Sequence, residues 1–416
     1  MKRLLALCLI IVMCFALTGC DHIFGEANTL LKAPTPEGEY QKISAAIKAS
    51  KISGNYSLKS AKRGNHRSSF IIVDGTDNAL AFFSTEANDA EELHMVLLTE
   101  TENEWKIISD TVLNGTDIEK LEFADFNGDG LDEVLIATNI YGSPELRLSV
   151  YDISAKIPIE LFEGAYTEFL ATTVLDETND YLIIINLDTL EGTAECNLLT
   201  LNEGSLKLLS SVQINPAISA VTKISTTKVD GKAAIYIDAK STQGTYFTEV
   251  VYYDKGLVAP LSNDILTSRY ENTISSDIDQ DGVLEIPTST VLPGDKNALN
   301  LTEWYKYTGG KLVSCERSVL SASGGYRLTI QNEWQGKFTC VANEFDGLDF
   351  YEYGKLKGEK LFSIRVVTKE KQKNEFKDWS IIDKTNDAYY IVKVHIKNSL
   401  NISEQTVIQN VVIQKG

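Results

Sequence analysis

The chain has 416 residues, with 58 Asp and Glu against 39 Lys and Arg, a formal net charge of −19. That balance repels phosphate backbones, so it excludes nucleic-acid binding through a broad basic surface and favours divalent cations and basic partners. Hydrophobic residues make up 43% and there are only 8 Pro, which excludes disordered and collagen-like chains and leaves a globular one.

Met1-Lys2-Arg3 is a short positive segment, and the apolar stretch Leu4 to Leu17 follows it without a charge. A spanning helix needs about 20 residues, so this stretch has the length of a signal-peptide core instead. It ends in Leu17-Thr18-Gly19-Cys20, which resembles the bacterial lipoprotein cleavage box. The resemblance implies a signal peptide over residues 1–19, cleavage before Cys20 and acylation of its thiol. The membrane partner would then be reached through the lipid alone, at the extracytoplasmic face of a bacterial cell membrane.

Residues 20–36 read as a tether containing Gly25, Pro34 and Pro36. Thr35-Pro36-Glu37 is a helix start, and Tyr40, Ile43, Ala46 and Ile47 fall on one helical face. The pattern predicts a helix over 37–53, ended by Gly54, within a lead-in segment that reaches residue 69.

From residue 70 to 416 the chain alternates like strands and shows almost no helical periodicity. One element recurs: a polar turn and then a strand rich in β-branched and aromatic residues. Its strands start near residues 79, 133, 181, 233, 284, 338 and 388. Intervals of about fifty residues, all strand, are the mark of a β-propeller with four strands per blade. The expected fold is therefore all-β, with seven blades and a short N-terminal helix.

Two of the turns are strongly acidic. Asp125-Phe126-Asn127-Gly128-Asp129-Gly130-Leu131-Asp132-Glu133 places side-chain oxygens at positions 1, 3, 5 and 9, and Asp277-Ile278-Asp279-Gln280-Asp281-Gly282-Val283-Leu284-Glu285 does the same. Ca²⁺ takes six to eight oxygens, and a tight curl at the Gly of position 6 can converge these groups. The backbone carbonyls of Leu131 and Val283, at position 7, are further candidate ligands. An EF-hand would need Glu at position 12, where Ile136 and Thr288 stand, and helical flanks, where strands are expected.

Acidic loops of this form inside a fifty-residue β repeat resemble the FG-GAP or VCBS repeats of integrin-α-like propellers. The resemblance implies Ca²⁺ as cofactor, held by Asp125, Asn127, Asp129 and Glu133 and by Asp277, Asp279, Asp281 and Glu285. The turns could also stand without metal, closed by Asx side-chain bonds, although carboxylates packed this closely repel one another without a cation.

No nucleophile elbow, zinc-protease helix, Walker loop or dinucleotide fingerprint occurs, so no catalytic residue is assigned. Cys315 and Cys340 could pair or stay free. Trp304-Tyr305-Lys306-Tyr307 serves either packing between sheets or a stacking surface. The reading is a surface module that binds an undetermined protein or glycan; a polysaccharide lyase or hydrolase on a propeller is the alternative.

Overall fold

The computed structural model describes residues 37–50, 56–87, 90–175, 178–188, 190–261, 267–294, 297–353, 360–395 and 400–413. The signal peptide, Cys20, the tether and the last residues of the expected helix lie outside them. No helix among the described residues is long and apolar enough to cross a membrane. Two compact units emerge: the described residues up to Phe123 with Glu133–Glu160, and Ala124–Asp132 with the chain from Leu161 onward.

In the first unit, helix α1 spans Glu37–Ala49. The expected face forms its inner side, with Ile43 and Ile47 fully buried among Ala79, Phe83, Val96 and Trp105. The Trp105 indole N–H donates to Glu39 at 2.8 Å, so the helix is also held by a polar contact.

The described strands form six sheets of four or five strands and one small hairpin. In the first unit, Asn78–Ala87, Ala90–Thr101 and Glu104–Leu113 form an antiparallel run. Asp117–Ala124, Glu133–Asn139 and Leu146–Asp152 follow in the second sheet. Leu80, Phe82, Met95 and Leu97 of the first sheet share one core with Ile118, Leu121, Val134 and Ile136 of the second.

In the second unit, the third sheet is the meander Glu168–Thr172, Tyr181–Asp188, Thr193–Asn202 and Ser205–Gln213. The fourth is Ile218–Val229, Lys232–Ser241, Tyr246–Tyr253 and Leu257–Leu261. The fifth holds Glu285–Val291, Asn300–Thr308, Lys311–Ser321, Tyr326–Thr329 and, from the end of the chain, Val411–Ile413. The sixth holds Phe338–Ala342, Leu348–Glu352, Lys360–Val367, Tyr389–Val394 and Ser380–Lys384.

Within the second unit, consecutive sheets share cores. Ile183, Ile185 and Leu198 of the third pack with Ile235, Ile237 and Phe247 of the fourth. Tyr236 and Val250 of the fourth pack with Ile286 and Tyr307 of the fifth. Val319 and Leu328 of the fifth pack with Phe350, Phe362 and Ile364 of the sixth. The strands alternate because each sheet has to bury apolar side chains against its neighbour.

The all-β reading holds, and the count of seven sheets needs correction among the described residues. The seventh expected unit, Ala388–Val394, is no separate sheet. Its strand pairs with Lys360–Val367 through Phe362↔Val394 and Ile364↔Val392, inside the sixth sheet. Ile391 and Val392 are fully buried there, so this strand is an interior member of that sheet's core. The last fifty-residue interval thus measures the span of one sheet.

Cys196, Cys315 and Cys340 are free thiols, so the optional Cys315–Cys340 pair is not formed. Burial pushes the Cys196 thiol up to about 12, which makes it an inert apolar filler.

Candidate metal centre

The first acidic loop joins Asp117–Ala124 to Glu133–Asn139. Its carboxylates organise the backbone: Asp125 Oδ1 accepts from the Gly128 N–H at 2.6 Å and Oδ2 from the Gly130 N–H at 2.8 Å. Asn127 Oδ1 accepts from the Asp129 N–H at 2.7 Å, and Asp129 Oδ1 from the Leu131 N–H at 2.8 Å. Gly130 has φ +83°, the left-handed curl expected at position 6. The Asp180 carboxylate accepts from the Asp125 N–H at 3.0 Å, and the Asp180 N–H returns a bond to the Asp125 carbonyl at 2.8 Å. Burial raises the Asp180 pKa, and the charges of Asp132 and Asp125 raise it further. Glu133 opens its strand and is 2% exposed, but it belongs to the other compact unit.

The second loop leads into Glu285–Val291, and the strand before it is reduced to the bridge Ser276↔Glu285. Asp277 Oδ1 accepts from the Asp281 N–H at 3.1 Å and Oδ2 from the Gly282 N–H at 2.8 Å. Asp281 Oδ1 accepts from the Val283 N–H at 3.0 Å. Glu285 is fully buried, and its Oε2 accepts from the Ile278 N–H at 2.7 Å. Gly282, at φ +85°, supplies the matching curl. The Arg327 guanidinium donates to the Ile278 carbonyl at 2.9 Å and pins the outer edge of the turn.

Here the carboxylates converge. Asp277, Asp279 and Glu285 each place an oxygen within 4.8 Å of the others. Among the described residues the first loop gives no such group of three. The donor set of the second loop is all oxygen, which suits a hard divalent cation. Each Asp277 oxygen accepts one backbone N–H, which leaves further lone pairs on a carboxylate.

Lys306, which the motif does not contain, completes the cluster. It stands directly opposite Glu285 in the register Glu285↔Lys306. Its ammonium donates to Asp279 Oδ2 at 2.8 Å, donates to Asp281 Oδ2 and lies 3.3 Å from Glu285 Oε1. Burial raises the Glu285 pKa, and the Ile278 N–H and Lys306 oppose that rise. The Lys306 hydrogen bond, with the Val283 N–H behind it, lowers the Asp281 pKa. Burial works against the Lys306 charge, yet its three carboxylate partners raise its pKa above the ordinary lysine value.

A buried ion pair anchors the approach to this loop. Arg269 and Asp238 are both almost wholly buried, with Nη2 donating to Oδ1 at 2.7 Å. The Asp238 carboxylate also accepts from Thr248 Oγ1 at 2.7 Å and from the Ser275 N–H at 2.9 Å. Ser275 lies two residues before Asp277, so Asp238 sets where the loop begins. Neither Arg269 nor Asp238 falls in a recognisable motif; an isolated Arg and an isolated Asp on separate segments carry no periodic signal.

No family model matches the chain, and no curated protein matches it. Similar solved structures include the β-propeller domain of the Trilobed protease from Pyrococcus furiosus, at 8% identity over 74% of this chain and 92% of that one, with a TM-score of 0.30. A thermostable family-43 glycoside hydrolase is 12% identical over 65% of this chain and 92% of its own, at 0.27. An endo-arabinase from Bacteroides thetaiotaomicron is 14% identical over 60% and 92%, at 0.25.

Proposed function

We propose that this chain is a lipid-anchored, calcium-binding β-propeller at the extracytoplasmic face of a bacterial membrane, where it acts as a protein- or glycan-binding module. The convergence of Asp277, Asp279 and Glu285 at the turn that leads into Glu285–Val291 carries the calcium-binding part of the reading. It is supported by antiparallel meanders that bury apolar faces against the next sheet in chain order, as the blades of a propeller do. When bound, Ca²⁺ would supply charge that ties the turn to its strand. Asp277 and Glu285 would hold the ion from either end of the loop, with Asp279 between them, while Gly282 lets the backbone curl.

The test is a thermal melt in EDTA, millimolar Ca²⁺ and Mg²⁺. A ligand that binds only the folded state adds about 2.7 kcal/mol at a hundredfold excess over Kd. Ca²⁺ should raise the melting temperature, Mg²⁺ should do so poorly, and Asp277→Asn should shrink the Ca²⁺ increment. Equal melting temperatures in EDTA and Ca²⁺, with no binding heat, would reduce both loops to ordinary turns.

A further inference from the structure

We infer that Lys306 is the resident cation of the second acidic loop, a tethered ammonium that competes with the divalent ion and sets the loop's affinity for it. The inference rests on the calcium reading above and specifies how that site is regulated.

Three observations carry it. The ammonium is placed as a bound cation would be, donating to Asp279 and Asp281 and lying 3.3 Å from Glu285 Oε1. Glu285 is fully buried, and the Lys306 ammonium 3.3 Å from its Oε1 is its counter-charge. Lys306 is also delivered by the framework: it sits opposite Glu285 in a register that extends from Glu285↔Lys306 to Val291↔Asn300. Its side chain is 20% exposed, so the lysine is partly withdrawn from solvent.

A divalent ion held by Asp279 and Glu285 would sit beside the ammonium that contacts both carboxylates, and the two like charges repel each other. Metal entry therefore favours Lys306 swinging outward. The flexible four-carbon stem permits that swing, and the cost of breaking its contacts is subtracted from the metal's binding energy. The loop would be closed by its own lysine when divalent ions are scarce and by metal when they are abundant.

The experiment compares wild type, Lys306→Met and Lys306→Gln in the full chain, titrated with Ca²⁺ by calorimetry and melted with EDTA or Ca²⁺. Asp277→Asn in each background identifies heat that belongs to this loop. Lys306→Met should tighten Ca²⁺ binding at the Asp277-dependent site at least tenfold. It should also lower the melting temperature in EDTA, with Ca²⁺ restoring it, because the carboxylates lose their built-in counter-charge. Lys306→Gln keeps a hydrogen-bond donor without charge and should also tighten Ca²⁺ binding at that site. Equal affinity in wild type and both variants would overturn the competition while leaving calcium binding intact. Absence of Asp277-dependent binding in all three would overturn both. Binding in the variants alone would support the competition and show that wild type keeps the loop closed by lysine.

Discussion

At the residue scale, charge placement decides more than charge count. Asp281 and Lys306 show why the acidic loop is not simply a reservoir of repulsion: the ammonium offsets the charge of its neighbours. A second residue carries a pH prediction. His395 Nε2 lies 2.9 Å from Ser363 Oγ, and the ring meets Trp379 edge-on at 6.0 Å. The residue is exposed at its edge, so its pKa is lowered below the ordinary 6.5 only by the partial desolvation of its ring, with Lys360 lowering it further, and solvent screening keeps the effect on stability small. A depressed native pKa means the unfolded chain takes up the proton first. The stability contribution is complete above about pH 6.5 and is lost as pH falls through that value to the native one. Denaturant melts from pH 7.5 to 5 should show this loss, and His395→Gln should flatten that part of the profile. An unchanged slope in the variant would assign the loss to other groups.

At the element scale, the ion pair between Asp238 and Arg269 joins the strand Lys232–Ser241 to the segment that introduces the second loop. Both partners are desolvated, so removing one leaves a buried charge without compensation. Asp238→Ala should cost about 3–5 kcal/mol. The double variant Asp238→Ala with Arg269→Met should recover part of that loss, because the stranded charge goes too. Urea melts of the two single variants and the double variant measure the coupling; strictly additive losses would show that the pair does not act as a unit. The same segment explains why no regular strand precedes the second loop. Residues before Asp277 are committed to Asp238 and Tyr246, so they meet the next strand through the bridge Ser276↔Glu285 and a few scattered bonds such as Tyr270 N–H to Ser289 Oγ, without forming a regular ladder.

At the scale of the whole molecule, the proposed attachment and the folded units make separate demands on the chain. If the thiol of Cys20 carries the lipid, Cys20→Ser should move the protein from the membrane fraction to the soluble one or leave its precursor uncut, with the melting temperature of the purified domain unchanged. Fatty-acid labelling and fractionation read this directly, and undiminished labelling of the variant would refute the anchor.

The sequence by itself determined the strand-rich class, the inner face of helix α1 and the positive-φ turns at Gly130 and Gly282. These depend on local periodicity and on backbone angles that side chains other than glycine resist. It also marked the second loop, because ligands two residues apart in a tight turn are neighbours whatever the surrounding fold. Tertiary structure decided the rest. Whether the strand at Tyr389–Val394 starts a new sheet or joins the sixth depends on its pairing with Lys360–Val367, and a fifty-residue spacing is compatible with either. Lys306 entered the acidic cluster through cross-strand register, and Asp238 met Arg269 across 31 residues of chain. Such pairings are long-range: they are selected by how sheets bury their apolar faces, and a single segment of sequence holds no record of the strand that will lie opposite it.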